Sequence, residues 1–225
     1  MHQSIVLYRY LSADDALKTI KSRSLKVSRI CELNDPFEFR FGLTGIAVGK
    51  ESAGEEFIQS VVDGLNDWLG ILCFSDTHAE PVLWSHYADK HKGAALECDY
   101  LVEPDKLFKV TYSNERPVID ARRKPDEEGF QDYALPIFKC LMAQKSRGWA
   151  YESEYRAFVD LRTDCVMSNG MYFRRIPENF LTRVILGFKC PLQESEVLTA
   201  LRSSGLSTAS VTRAKMCLKS YEVCC

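Results

Sequence analysis

Short apolar runs separated by polar turns fill most of the chain, and they predict a mixture of strands and helices. The run Ser4–Tyr10 (SIVLYRY) is rich in β-branched and aromatic residues, which favour strands. GILCFS at 70–75 is a continuous apolar run, as in a strand buried on both faces. YESEYRAFVDL at 151–161 alternates between polar and apolar residues and predicts a strand with one polar face. Further strands are predicted at 24–30, 93–99, 106–112, 170–176, 182–188 and 207–216.

Helical spacing of apolar residues marks the segments between these strands. Ser12 predicts the N-cap of a helix over residues 12–22. An apolar stripe over residues 57–69 predicts a second helix, closed by Gly70. Further helices are predicted at Pro81–Asp89, at 126–146 with interruptions at Gly129 and Pro136, and at 192–204.

About eight strands and four or five helices follow one another without strict alternation. A doubly wound parallel sheet needs that alternation, so the pattern favours an α+β fold. We expect a single domain over residues 1–225, with a mixed central sheet flanked by helices. A chain of 225 residues, 46% hydrophobic and 27% charged, is long enough to bury its own core.

The charge is unevenly distributed, although the formal net charge is only -2. Residues 1–138 carry 16 Lys and Arg against 23 Asp and Glu, a balance of -7, whereas residues 139–225 carry 13 against 8, a balance of +5. The basic half either faces an anionic ligand, such as a pyrophosphate or a nucleic-acid backbone, or is a solvated surface, which is the favoured interpretation. No apolar run approaches the roughly 20 residues that span a bilayer, so no membrane partner is expected.

Nine cysteines occur without a CxxC motif and without an N-terminal secretory signal. Most lie in apolar runs, Cys217 among them, so we interpret them as reduced thiols of a cytoplasmic protein. The terminal pair Cys224 and Cys225 is expected to be exposed and prone to oxidation. No disulfide is expected among four cysteines in core-like runs, which are Cys31, Cys73, Cys98 and Cys140.

The segment WSHYADKHKGAALECD at 84–99 concentrates hydroxyl, imidazole and acidic side chains directly after the buried strand GILCFS. His86 and Tyr87 either point into a cleft at the end of that strand, or Tyr87 packs on the core together with Trp84. The spacing of His86 and His91 lacks the HExxH pattern, so a metal site is not expected. The segment also lacks a GxSxG nucleophile elbow.

Three charged residues stand in predicted strands and are candidates for chemistry. Arg9 is either exposed or turned inward to hold an anion, and it lies between two aromatic residues, Tyr8 and Tyr10. On a strand, Glu152 and Glu154 share one face, where they either serve a catalytic site or form a solvated edge. From composition alone the solvated edge is favoured.

Several strings taken together resemble a bacterial family catalogued as domain of unknown function 2971. They are LYRY near the start, NDPFE at 34–38, CFS at 73–75, WSHYADKHKGAALECD, KVTY, K..GWAYESEYR at 145–156 and VILG at 184–187. The resemblance runs from Leu7 to about Leu218, so it covers nearly the whole chain. The combination of WSHYA..HKG with a later W.YE.EYR is fairly specific.

The chain also resembles ADP-ribosyltransferases, more weakly. These enzymes place an Arg or His on the first strand, a Ser on a following strand and a Glu on a late strand, and Arg9, Ser75 and Glu154 occur in that order. The resemblance implies that Arg9 contacts the pyrophosphate or ribose of NAD, and that Ser75 contacts its nicotinamide ribose. Tyr87 would be a stacking platform. Glu154 would bind a ribose hydroxyl and stabilise the oxocarbenium-like transition state.

Two departures from the transferase pattern leave alternatives open. The Ser-Thr-Ser triplet of those enzymes is reduced to CFS followed by Asp76, and Glu152 competes with Glu154 for the catalytic place. Tyr8, His86 and Glu152 are therefore included as further candidate contacts to NAD.

The resemblances imply an NAD-dependent ADP-ribosyl transfer or NAD hydrolysis, in a bacterial toxin or phage-defence effector. NAD would be a substrate, and the acceptor would be a protein or a nucleic acid. The alternative is a non-catalytic module that binds a ligand or a nucleic acid through its basic half. The enzymatic interpretation requires Arg9, His86, Tyr87 and Glu154 to line one cleft. It also expects the change Glu154→Gln to leave the stability nearly unchanged.

Overall fold

The computed structural model describes residues 4–47, 49–101, 106–123 and 130–225. Within these residues the helices are α1 (Ala13–Ser22), α2 (Glu51–Asn66), α3 (Pro81–Tyr87), α4 (Phe130–Ala143) and α5 (Glu194–Ser203), with 3-10 helices at Ile30–Glu32 and Arg147–Glu152. The longer strands are β1 (Ser4–Leu11), β2 (Ser24–Val27), β4 (Leu69–Ser75), β5 (Ala94–Leu101), β10 (Glu154–Asp160), β12 (Met171–Arg175), β13 (Leu181–Leu186) and β14 (Ser210–Arg213). The short strands are β3 (Gly42–Thr44), β6 (Leu107–Lys109), β7 (Thr111–Ser113), β8 (Val118–Asp120), β9 (Gln144–Ser146), β11 (Val166–Ser168), β15 (Lys215–Met216) and β16 (Val223–Cys224).

A seven-stranded sheet forms the centre of the fold, in the order β14-β13-β5-β1-β4-β10-β6. Strands β13 and β14 run parallel, and the other neighbouring pairs of this sheet are antiparallel. The predicted α+β class with a mixed central sheet is therefore confirmed.

The central sheet is divided into two halves that meet at one point. Strand β1 pairs with β5 from Ser4 to Leu11, and β4 pairs with β10 from Leu69 to Ser75. Between β1 and β4, however, the single registered pair is Tyr8 with Ser75. Beyond that pair the two strands part, because Ile71 of β4 is paired with Ser28 and Arg9 is paired with no residue of β4. A gap therefore opens in the middle of the sheet.

Alternation along β1 sends its side chains to two different cores. Leu7 packs into the largest apolar cluster, to which helices α1 and α5 contribute. Tyr8 faces the opposite side and packs near Trp84 of α3, which is fully buried. A third apolar cluster lies below α2 and α4 and includes Ile71 of β4 and Phe158 of β10.

Most predicted elements are present, with shifted ends. Helix α1 is capped as expected, since the Ser12 hydroxyl accepts from the backbone N–H of Asp15 at 3.1 Å. Helix α2 ends at Asn66, so the expectation that Gly70 closes it is wrong. Gly70 lies inside β4, where a Cβ atom would stand 2.6 Å from a methyl group of Val27. Close packing between strands, and not a helix end, explains this glycine.

The segment 126–146 differs from its prediction in two respects. Helix α4 continues through Pro136, which was expected to interrupt it, and the chain leaves the helix after Ala143 to form β9. The other expected interruption, Gly129, lies outside the described residues. Two predicted single strands are also divided. Residues 106–112 form β6 and the start of β7, and residues 207–216 contain β14 and β15.

The cysteines are partly as expected. Cys31, Cys73, Cys98 and Cys140 are free thiols, which confirms that they form no disulfide. Their core-like placement is right for Cys98, but Cys31 and Cys140 are exposed because they lie on outward faces of their helices.

Cys217 was expected to be a reduced thiol in an apolar run and is instead bonded to Cys224. The antiparallel pairing of β15 with β16 holds their Cα atoms 5.5 Å apart, within the usual range for a disulfide. Among the described helices, none is both long and apolar enough to cross a membrane.

We expect reduction of this disulfide to loosen the C-terminal hairpin. A bond that closes so short a loop contributes about 2–3 kcal/mol by restricting the unfolded chain. The amide of Val223 donates to the carbonyl of Ala79, and its hydrogen exchange reports on the hairpin. In reducing buffer this exchange should accelerate about 30-fold to 100-fold, as it should in Cys217→Ser without reductant. Exchange that is equal with and without reductant would contradict the expectation, and Cys140→Ser is the control.

Candidate functional site

A cleft of about 200 Å³ opens where β1 and β4 part. Its walls come from both halves of the sheet, from α3 and from the turn that follows β2. The lining residues are Tyr8, Arg9, Tyr10, Leu11, Ser28, Glu32, Leu33, Asn34, Glu38, Cys73, Phe74, Ser75, Leu83, Tyr87, Lys145, Glu152 and Glu154. The cleft is thus an opening in the middle of the fold, with aromatic and charged walls.

The structure brings together most of the residues that the sequence singled out. The cleft is lined by Tyr8, Arg9, Ser75, Tyr87, Glu152 and Glu154. His86 is not part of its lining, so the expectation that it lies in the cleft is wrong. Successive residues of an α-helix point about 100° apart. Because Tyr87 faces the cleft, His86 points to the exposed side of α3, where its Nδ1 lies 3.2 Å from the hydroxyl of Tyr151.

The two neighbouring glutamates meet in a way that the sequence did not predict. Residues 151–153 are not part of a strand, because a 3-10 helix ends at Glu152 and Ser153 has a left-handed backbone with φ of 44°. Strand β10 begins at Glu154. The expected shared strand face is therefore wrong. The two carboxylates still converge, because both accept a hydrogen bond from Lys145.

Lys145 stands at the centre of a buried group of charges. Its Nζ lies 2.6 Å from a carboxylate oxygen of Glu152, and 3.3 Å from oxygens of both Glu154 and Glu38. The lysine is 7% exposed and comes from β9, directly after α4. One ammonium group therefore joins the neighbouring carboxylates of Glu152 and Glu154 to that of Glu38, which lies more than 100 residues earlier in the chain.

Arg156 is the second cation of this group and is fully buried. Its Nε and Nη2 atoms hold the two oxygens of Glu154 at 2.8 and 3.0 Å, which is the two-pronged geometry that a guanidinium favours. Nη2 also contacts Glu38, and Nη1 donates to the carbonyl of Met142 at 3.1 Å. We call the five residues Glu38, Lys145, Glu152, Glu154 and Arg156 the charge cluster.

The charge cluster contains three carboxylates and two cations, and each member is at most 7% exposed. Burial raises the pKa of Glu38 despite the nearby cations. Burial acts in the same direction on Glu154, but the Arg156 guanidinium outweighs it and lowers the pKa of Glu154. Burial opposes the charge of Lys145, yet the surrounding carboxylates raise its pKa above the ordinary value. Glu154 is thus held ionised, and Lys145 is held protonated.

Tyr87 joins the charge cluster to the aromatic wall of the cleft. Its hydroxyl donates to Glu152 at 2.5 Å and accepts from the side-chain amide of Asn34 at 2.7 Å. Burial and the bond to Glu152 raise the pKa of the phenol, so Tyr87 stays protonated. Tyr112 supports the other glutamate, because its hydroxyl accepts from the backbone N–H of Glu154 at 2.8 Å.

Arg9 reaches the cleft from the opposite side of the sheet. Its Nη2 donates to the carbonyl of Lys26 at 2.7 Å, and the guanidinium lies 6.0 Å from the ring centre of Phe74. Its Nη1 atom is buried and has no hydrogen-bond partner among the described residues. Burial lowers the pKa of Arg9, although a guanidinium keeps its proton in proteins. An anionic ligand would supply the missing acceptor.

Ser75 and Tyr8 occupy the bridge between the two halves of the sheet. The Ser75 hydroxyl accepts from the backbone N–H of Thr77 at 3.2 Å, and Ser75 is 4% exposed. The ring of Tyr8 packs 5.0 Å from that of His78, and burial raises the pKa of its phenol. Both side chains border the cleft with little freedom to move.

Sequence reasoning missed four residues of this site, namely Asn34, Glu38, Lys145 and Arg156. The motif NDPFE entered only as part of the family resemblance, and Lys145 fell at the end of the helix predicted at 126–146. All four do lie inside strings that support the family resemblance, NDPFE and the segment from Lys145 to Arg156. The sequence signal that could have identified them was their position inside these motifs, where polar and charged residues stand beside apolar runs. The contacts among them join distant parts of the chain and leave no local periodicity.

The described residues contain no group of three His, Cys, Asp or Glu that could hold a metal ion. In the charge cluster the position between the carboxylates is filled by the ammonium of Lys145. Comparison with family models, with curated proteins and with solved structures gave no match to this chain. Both resemblances drawn from the sequence therefore stay predictions.

The structure changes the expected effect of Glu154→Gln on stability. Glu154 is 4% exposed and takes two hydrogen bonds from Arg156, so a neutral side chain would leave a buried guanidinium undercompensated. Breaking a buried ion pair by removing one partner typically costs about 3–5 kcal/mol. The near-neutral effect anticipated from the sequence is therefore withdrawn.

We expect Lys145→Met to destabilise the fold by about 3–5 kcal/mol at pH 7, because it leaves three buried carboxylates with one cation. Without the ammonium, the pKa of Glu38, which burial already raises, rises further above its unfolded value. The folded variant then gains protons as the pH falls, so its deficit should shrink between pH 7 and pH 5. Urea denaturation of both proteins at each pH measures this. Lys18→Met, whose side chain is 77% exposed, is the control and should change stability by about 0.5 kcal/mol or less. A deficit that does not depend on pH would contradict the account.

Proposed function

We propose that the cleft binds NAD and breaks its nicotinamide glycosidic bond, passing ADP-ribose to water or to a protein or nucleic-acid acceptor. The observation that carries the proposal is the convergence of Arg9, Tyr87, Glu152 and Glu154 on one cleft from four separate elements. An anion contact, an aromatic wall and two carboxylates are what the two ends of this substrate require.

Arg9 supports binding of the phosphate-bearing part. Its Nη1 atom is a buried donor without a partner among the described residues, so the fold already bears the desolvation cost of an unsatisfied hydrogen-bond donor. A ligand oxygen that accepts from Nη1 would remove this cost. Among biological anions, a pyrophosphate presents several oxygens to a planar guanidinium. This part of the proposal explains why a charged residue lies in the middle of an apolar strand.

The size of the cleft limits which part of NAD is enclosed. Sites that enclose a whole drug-sized ligand usually measure about 300–1,000 Å³. A cleft of about 200 Å³ takes the nicotinamide and its ribose, while the adenosine end extends over the surface. The faces of Tyr87 and Tyr8 offer apolar walls for the nicotinamide ring.

Cleavage of this bond needs little acid catalysis, because the leaving nicotinamide is already cationic in the substrate. It needs a negative charge beside the ribose, where positive charge develops in the transition state. Arg156 and Lys145 hold Glu154 in place and ionised, so its charge requires no rearrangement during the reaction. Glu152 lies next to it and is oriented by Tyr87. The ADP-ribosyltransferase resemblance assigns the same role to Glu154.

A non-catalytic binding module is the second candidate. It is favoured by the saturation of Glu154, whose oxygens already accept three hydrogen bonds from cations. In this case NAD or another phosphate-bearing ligand would bind through Arg9 and leave unchanged. The two candidates differ in one observable, the release of nicotinamide.

We expect purified protein to release nicotinamide from NAD, measured by chromatography. Glu152→Gln should lower turnover moderately. Glu154→Gln should lower it about 100-fold to 1,000-fold, the usual effect of losing one preorganised electrostatic group. Because Glu154→Gln also destabilises the fold, its secondary structure is checked by circular dichroism at the assay temperature. Arg9→Lys should raise the KM for NAD about tenfold or more, because Lys lacks the planar fork.

Arg122→Lys is the matched control for Arg9→Lys, since Arg122 is exposed and is not among the residues that line the cleft. NAD that binds in calorimetry and is recovered intact would favour the binding module. The absence of both binding and turnover in the wild type would overturn the proposal.

A further inference from the structure

The hydroxyl of Tyr87 lies between two polar side chains that impose a direction on its proton. Glu152 accepts from Lys145 at 2.6 Å through one oxygen and from Tyr87 at 2.5 Å through the other. A carboxylate has no proton to donate, so the single proton of the phenol points to Glu152. The remaining contact, 2.7 Å from Asn34, must then be a bond in which the amide N–H donates to the phenol oxygen.

We propose that Asn34 is a positioning residue, which by donating to the Tyr87 hydroxyl holds it from a second side and thereby fixes the place of the Tyr87 ring. The proposal rests on the function proposed above, because the ring it holds is the wall for the nicotinamide. A donor is required at residue 34. An acceptor there would compete with Glu152 for the proton of Tyr87. A side chain without polar atoms would leave the phenol with its hydrogen bond to Glu152 alone.

The turn that contains Asn34 is built to hold it. Asp35 is 5% exposed, and its carboxylate accepts from the backbone N–H of Phe37 at 2.9 Å. The carbonyl of Asp35 accepts from the backbone N–H of Glu38 at 3.1 Å. The same turn therefore presents Asn34 to Tyr87 and sends Glu38 to Lys145. This gives the NDPFE motif a role beyond reversing the chain.

Asn34→Ala removes the donor and should raise the KM for NAD about fivefold to tenfold, the effect of one lost hydrogen bond, with kcat within about twofold of the wild type. Asn34→Asp gives a sharper test. At pH 8 the introduced carboxylate cannot donate, and its charge lies close to Glu152. As the pH falls, the introduced carboxyl group gains a proton that it can donate to Tyr87. The KM of Asn34→Asp should therefore approach the wild-type value only as the pH falls towards the ordinary pKa of an aspartate, about 4.

A second readout needs no substrate. Tyrosine labelled with ¹³C at Cζ reports the hydrogen bonding of each phenol, and the Tyr87 resonance is identified by its loss in Tyr87→Phe. The wild-type resonance should stay constant from pH 5 to pH 8. In Asn34→Asp it should titrate and approach the wild-type position at low pH. Asn114→Asp, an equal charge change at an exposed position outside the cleft lining, is the control and should leave the Tyr87 resonance and the KM unchanged.

The outcomes separate this inference from the function on which it rests. If wild-type protein releases no nicotinamide but the Tyr87 resonance titrates in Asn34→Asp, the positioning role stands and the proposed function falls. If nicotinamide is released and Asn34→Ala changes neither the KM nor the Tyr87 resonance, the positioning role is overturned. A Tyr87 resonance in Asn34→Asp that equals the wild type at pH 8 overturns it as well.

Discussion

The buried charge cluster is the constraint on which the rest of this structure depends. Ions in a protein interior are tolerated only when their partners are held in good geometry, because desolvation costs several kcal/mol per ion. Here two cations satisfy three carboxylates, and the five residues come from a turn, strand β9, a 3-10 helix and strand β10. Each element must therefore take one position relative to the others. The cluster fixes the side of the cleft that carries Glu152 and Glu154.

The separation of β1 from β4 in the central sheet creates the cleft that the charge cluster borders. A fully paired β1 and β4 would leave no opening, and the side chain of Arg9 would have no cleft to reach. Because the two strands share only the pair of Tyr8 with Ser75, the gap exposes both faces of the sheet to one cavity. A cation from one face and carboxylates from the other therefore line the same cleft. The largest apolar cluster takes residues from both halves of the sheet, among them Leu7 of β1 and Phe74 of β4, so the halves stay joined beside the opening.

Local patterns predicted the fold well and the site only in part. Strands such as GILCFS and the capped helix after Ser12 follow from features within a few residues, and both are present. The errors arose where distant contacts override local pattern. Gly70 serves packing against another strand, and Glu152 leaves the strand pattern because Ser153 adopts a left-handed backbone. Lys145 could not be identified from sequence, since its three partners are separated from it by 7 to more than 100 residues.

The protonation states around the cleft indicate what kind of chemistry suits it. The pKa of Lys145 and that of Tyr87 are both raised, so these groups keep their protons throughout the physiological range. Glu154 has the opposite shift and keeps its charge. A general acid or base works best with a pKa near the working pH, and these three groups are moved away from it. These three groups are therefore suited to a reaction that needs fixed charges instead of proton transfer. Cleavage of a bond to a leaving group that is already cationic belongs to that class, and this supports the proposed function over hydrolysis of a neutral bond.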